Sequence, residues 1–158
     1  MIEMKVIGIA LDSKNNNVPI VILSDKENKR VLPIWVGFFE AQAILFALEN
    51  VPVPRPLTHD LMSNIINILG GKVTHIVINA LKNNTYFARI NISKDDKSLE
   101  IDSRPSDAIA LALREKATIF VPDPVLNMAS MPKQPIDEDE LKKFKEKLKN
   151  LTSEDFYE

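Results

Sequence analysis

The pattern of apolar and polar positions divides the chain into recognisable elements. Three β-branched runs, IEMKVIGIALD, VPIVILSD and KRVLPIWVG, are separated by the polar clusters SKNNN and KENK, which have the turn chemistry of hairpins. This predicts a three-stranded meander. FFEAQAILFALEN, residues 38–50, follows with about three turns of strong helix formers that are apolar on almost every side. Such a helix is expected to be buried on more than one face. In a chain this short the second cover is expected to come from another subunit, which predicts a homo-oligomer, with a dimer favoured.

VPVPRP then imposes an extended connection, because each proline lacks an N–H and biases its predecessor away from helix. A second helix is expected over residues 58–69, stopped by Gly70-Gly71. GKVTHIVINALK and TYFARINISK flank Asn83-Asn84 and read as a hairpin, and SLEIDSR continues as another strand. A third helix over residues 105–116 and a short strand TIFVPD complete the pattern. The order predicts an α+β fold, with a mixed, largely antiparallel sheet packed with about three helices, plus a C-terminal helix. Residues 1–126 are read as one domain. Pro124 to Pro135 reads as a linker or arm, and residues 127–158 as that linker followed by a charged helix with the stripe Leu141, Phe144, Leu148 and Leu151.

Composition narrows the chemistry. With 158 residues, 45% hydrophobic and 27% charged, the chain suits one ordinary globular core. It has no cysteine, which removes disulfides, thiolate nucleophiles and Cys-based metal sites and leaves oxygen and imidazole groups. The N-terminal apolar run is too short for a signal peptide and no later stretch suits a membrane span, so a cytoplasmic protein with no membrane partner is expected. Net charge is −2, and residues 137–158 carry 8 of the 22 acidic and 5 of the 20 basic residues, leaving 14 acidic and 15 basic in the body. A body so near neutrality allows only local nucleic-acid contact, because phosphate neutralisation supplies much of such affinity.

Two stretches echo each other: PRPLTHD at residues 54–60 and SRPSDA at residues 103–108. Each has Arg-Pro, a hydroxyl residue and an aspartate just before an apolar run. Helix capping explains Thr58, with Asp60 in the first turn, and Pro105 followed by Ser106 and Asp107. It does not explain Arg55 and Arg104, since a cation at a helix N-terminus opposes the dipole. Their partners are either Asp60 and Asp107, or an anion held together with free N–H groups. Glu40, among apolar neighbours, needs a cation, solvent or a pocket, and Arg55 or Arg104 would serve. His59 beside Asp60 could act as general acid or base, whereas His75, within VTHIVIN, reads as structural. Asp60 and Asp107, with Glu40, offer the oxygen ligands that Mg²⁺ or Mn²⁺ prefers, although at no recognised motif spacing. With four glycines and no phosphate-binding loop, no organic cofactor is indicated.

LPIWVGFFEAQAI, PRPLTHDLM, IDSRPSDAIALALR and TIFVPDPVL, in this order, resemble the bifunctional nuclease family, a bacterial and plant group named for cleavage of both DNA and RNA. The resemblance covers about residues 5 to 126. It implies a compact α+β domain that assembles as an oligomer and hydrolyses phosphodiester bonds of nucleic acid. Matching positions carry over Glu40, Arg55, Thr58, His59, Asp60, Arg104, Ser106 and Asp107, with no set of roles attached to them. In the nuclease reading of these residue types, Glu40, His59, Asp60 and Asp107 are expected to be catalytic, with Asp60 and Asp107 holding metal, and Arg55, Thr58, Arg104 and Ser106 to bind phosphate. The sequence departs from the family pattern at Phe38-Phe39, where many relatives have a small residue. The competing reading is a non-catalytic oligomeric binding or regulatory module that uses the same pocket for an anion or a partner.

Overall fold

The computed structural model describes residues 1–132. The strands are β1 (Ile2–Asp12), β2 (Val18–Asp25), β3 (Arg30–Trp35), β4 (Lys72–Lys82), β5 (Thr85–Lys94), β6 (Lys97–Ser103), β7 (Thr118–Val121) and the two-residue β8 (Met131–Pro132). The helices are α1 (Phe38–Leu48), α2 (Thr58–Ile68), α3 (Pro105–Glu115) and α4 (Asp123–Ala129). This is an α+β fold. β1-β2-β3 form the expected meander, and β4-β5-β6 form a second one whose first turn is Asn83-Asn84, with φ of 50° and 60°. Asparagine tolerates this left-handed region better than other side chains, which is why the pair turns a hairpin without glycine.

β7 joins the two meanders. It runs antiparallel to β1 and parallel to β4, giving one mixed sheet in the order β6-β5-β4-β7-β1-β2-β3-β8. A parallel pair needs a crossover, and the path from β4 to β7 carries β5, β6 and then α3. α3 packs against α1, α2, β4 and β5. Its Ala108, Ile109, Ala110, Leu111 and Ala112 are all buried, so the small residues let neighbouring elements approach closely. The sheet curls until strands far apart in its order touch, as the Tyr86 hydroxyl of β5 donates to the Pro33 carbonyl of β3 at 3.2 Å.

The buried residues Ala41, Ile44 and Leu45 of α1 pack within the chain against β1, β2 and α3, while Phe39 stays 53% exposed. One expectation changes here. The stretch from Pro124, read as a linker, begins inside α4, with Val125 and Leu126 buried, and its described part reaches β8, which pairs with Arg30 and Val31. Prolines near a helix start cost no hydrogen bond, so Pro124 marks a beginning rather than a break. The charged helix expected within residues 137–158 lies outside the described residues. None of the described helices is long and apolar enough to cross a membrane.

Candidate functional site

The N-terminal turns of α1, α2 and α3 meet on one side of the helical layer, where α1 brings Glu40, α2 brings His59, and α3 brings Arg104 and Asp107. Pro105 stands in the first turn of α3, where its fixed φ suits the helix and no N–H is lost, and this fixes Arg104 and Asp107 at the entrance. Arg104 donates from Nε to Asp107 Oδ2 at 2.9 Å, from Nη2 to Asp107 Oδ1 at 3.2 Å and from Nη1 to Glu40 Oε1 at 3.1 Å. His59 Nε2 hydrogen-bonds Asp107 Oδ1 at 2.9 Å. Glu40, Arg104, Asp107 and His59 are therefore one connected network spanning three helices. The two Arg-Pro elements do converge, through His59 and Asp107.

Gly37 shapes the entrance of α1. The Glu40 carboxylate folds back over it, and a Cβ added at Gly37 would overlap Glu40 Oε2. A glycine here leaves that carboxylate free to reach Arg104.

The second aspartate turns elsewhere. Asp60 Oδ2 accepts the Leu57 N–H at 2.9 Å, so the first turn of α2 is closed by a carboxylate reaching back. Leu57 is the N-cap residue, and Thr58, expected there, is exposed in the first turn. Asp60 Oδ1 accepts from Arg114 Nε at 2.7 Å rather than from Arg55. Arg114 is 10% exposed and also donates from Nη1 to the carbonyls of Ala43 and Ala110. It takes Asp60 because the last turn of α3 passes beside the first turn of α2, a neighbour that sequence distance conceals. Arg55 is exposed and, among the described residues, closes no salt bridge.

Electrostatics follow from these contacts. Burial pushes the Asp107 carboxyl up, but the hydrogen bonds and charges of Arg104 and His59 outweigh it and hold the group below the usual carboxylate range. Burial likewise pushes Asp60 up, and the Leu57 N–H and Arg114 reverse the direction. Arg104 is raised by its bonds to Asp107 and then Glu40, so it stays charged. Both aspartates have folded pKa values below their unfolded ones. Their contribution to stability is thus complete above the unfolded value, about pH 4, and is lost as pH falls through the lower folded values. Denaturant titrations at a series of acidic pH values are expected to show stability falling below about pH 4. Asp107→Asn should make that fall shallower; an identical slope in the variant would show that Asp107 is not one of the groups responsible.

The network borders an open cleft of about 530 Å³, with Phe39, Gln42, Thr58, His59, Arg104 and Asp107 among its walls. His59 is only 8% exposed, held against the cleft by Asp107, whereas Arg104 reaches out with 64% of its side chain accessible. Ser106 is buried and lines a neighbouring cavity that shares Glu40 and Arg104 with the cleft. Asp60 lines a third depression, with Arg114, at the other end of α1. His75 contacts the Phe120 ring edge-on and the Thr74 hydroxyl, with no part in the network.

The fit to a metal can be judged from the donors. All four carboxylate oxygens of Asp60 and Asp107 already accept from protein groups, namely Leu57, Arg114, Arg104 and His59. Among the described residues no group of three or more His, Asp or Glu side chains is placed to hold a metal ion. A cation bound between Asp60 and Asp107 would have to displace those donors, so this pair does not form a ready metal site.

Residues 21–134 match the model of a family described as the bifunctional nuclease domain. The chain belongs to this family. An uncharacterized protein of Mycobacterium tuberculosis is 36% identical over 163 aligned residues, covering 98% of this chain and 97% of the relative. Bifunctional nuclease 2 of Arabidopsis thaliana is 31% identical over 105 residues, and Bifunctional nuclease 1 of Oryza sativa subsp. japonica is 29% identical over 105. In both plant proteins the alignment covers 65% of this chain and 32% of the relative, so the part that matches is about a third of those chains. The matched region takes in α1, α2 and α3, and with them Glu40, His59, Arg104 and Asp107.

Proposed function

We propose that the protein is a cytoplasmic nuclease that hydrolyses phosphodiester bonds of DNA or RNA in the cleft between α1, α2 and α3. The observation that carries the reading is the unspent capacity of Arg104. A guanidinium has five N–H donors, and the three bonds to Asp107 and Glu40 use Nε and one on each η nitrogen. Two N–H groups remain on a side chain that is 64% exposed and borders the cleft. That is a phosphate-sized fork held rigid by two carboxylates.

In the reaction, Arg104 would hold the scissile phosphate and meet the charge that builds on its oxygens, with Thr58 on the cleft wall and Arg55 three residues before it in the chain. A water oxygen attacks phosphorus as the bond to the leaving sugar oxygen breaks. Glu40 would take the water proton and His59 would return one to the leaving oxygen from Nδ1, since its Nε2 is engaged by Asp107. Mg²⁺ or Mn²⁺, if required, would supply further charge on the phosphate; Asp60, tied to Arg114, lies apart from this step.

Cleavage of labelled single-stranded RNA and DNA, measured with Mg²⁺, Mn²⁺ or EDTA, tests the proposal when an Asp107→Asn protein is purified in parallel. Cutting by the wild type and loss in the variant support it. Equal cutting by both would place the activity elsewhere, and an inert wild type would favour a non-catalytic module that binds an anion or a partner at Arg104.

We also place homodimerisation on the outer face of α2. Leu61, Ile65, Ile68 and Leu69 are 52%, 48%, 83% and 66% exposed and follow one another at helical spacing. A two-fold interface would bury this stripe against its own copy. Sedimentation of the wild type is expected to give a dimer and of Ile68→Glu a monomer. A monomeric wild type would remove the proposal.

A further inference from the structure

The chain's single tryptophan has no part in the chemistry above, and its setting is unusual for so large an apolar side chain. Trp35 ends β3 and is 44% exposed. Its one polar group is already satisfied, since Nε1–H donates to Asp12 Oδ2 at 2.8 Å, and Asp12 is itself steadied by the Lys14 N–H on Oδ1 at 3.2 Å. The indole is thus held in one orientation at the surface.

It lines a cavity of about 290 Å³ together with Ile34, Tyr86, Glu40, Arg104 and Ser106. The opposite wall is also fixed, because the Tyr86 hydroxyl donates to Pro33. Arg104 and Glu40 border both this cavity and the cleft that contains His59. A phosphate on Arg104 therefore borders both the cleft that holds His59 and an aromatic-walled cavity.

We propose that this second cavity is a nucleobase subsite, in which Trp35 stacks an unpaired base next to the phosphate held by Arg104. The proposal rests on the reading of Arg104 as a phosphate ligand and adds where the flanking base goes. Two physical points support it. The body of the chain carries 15 basic against 14 acidic residues in positions 1–136, so charge alone gives a strand little hold. Stacking on an aromatic face supplies affinity without charge, and every base has a π-face, so the contact tolerates any sequence. A stacking subsite also requires a single strand or a frayed end, since a base inside a duplex is not accessible.

Trp35 is its own reporter. Titrating the full-length protein in EDTA with a short oligodeoxythymidylate is expected to quench its fluorescence saturably, while inorganic phosphate and an abasic strand of the same length leave it nearly unchanged. By anisotropy of a labelled strand, Trp35→Ala should weaken binding about tenfold and Trp35→Phe much less. Full binding by anisotropy without quenching, equal binding of the abasic strand, or no binding by the wild type would each overturn the subsite. The two readings fail separately. A wild type that cuts, with Trp35→Ala binding and cutting equally well, removes the subsite alone; quenching that survives in a protein unable to cut removes hydrolysis alone.

Discussion

Asp107→Asn is expected to slow strand cleavage by about a hundredfold to ten-thousandfold while leaving the fold in place. The carboxylate accepts three hydrogen bonds, two from Arg104 and one from His59. An asparagine of the same shape keeps only one acceptor oxygen and turns an NH₂ towards one of these donors. Either Arg104 loses its fork or His59 loses the partner that fixes its ring, and the negative charge that holds both is gone. Asp107 is 28% exposed and lies in the first turn of α3, so water can reach the altered contacts and the core beneath is undisturbed. Single-turnover cleavage beside circular dichroism and a thermal melt checks both halves. A variant with wild-type rate would show that Asp107 is only a structural clamp on Arg104.

Arg114→Met should have the largest effect on stability, a loss of about 2 kcal/mol and a Tm lower by about 6 °C. Arg114 ties α3 to Asp60 of α2 and to the Ala43 carbonyl of α1, and so closes the three helices on one another. Methionine fills the space of the stem, which isolates the loss of the polar contacts. Removing one partner of a buried pair costs about 3–5 kcal/mol, and the lower figure is used because Asp60 is 31% exposed and can be rescued by water. Adding Asp60→Asn should restore part of the loss, since the stranded charge is then absent. Denaturant unfolding of the two single variants and the double variant measures this coupling. A change within about 0.5 kcal/mol for Arg114→Met would mean that the helices are held by apolar packing alone.

Much of this was legible along the chain. Hairpin turns at SKNNN, KENK and Asn83-Asn84, the stop at Gly70-Gly71, and proline at the start of α3 are local signals, set by φ preference and hydrogen bonding within a few residues. They placed three helices and seven strands close to their positions. The helix α4 was missed because seven residues give too little periodicity to set against two flanking prolines.

The site divides in the same way. Arg104 with Asp107 is an i, i+3 pair, and the surplus arginine at a helix start was visible from charge and dipole alone. Arg114 gave no such signal. In the sequence it is one cation in the last turn of a helix, and only the packing of α3 across α1 and α2 puts it beside an aspartate 54 residues earlier. Trp35 read as a strand residue for the same reason: alternation tells which residues share a face, not what covers the end of a strand.

The sequence by itself determined three of the helices and seven of the strands, the α+β class, the family and the residue types able to hold a phosphate, because each depends on local preference or on the order of short motifs. Tertiary structure decided which charges meet. The parallel pairing of β4 with β7 and the crossover through α3 bring His59 to Asp107, send Asp60 to Arg114, and set Trp35 and His59 in two cavities that share one arginine. Ion pairing acts over a few ångströms, and distance along the chain carries no record of which groups folding will bring that close.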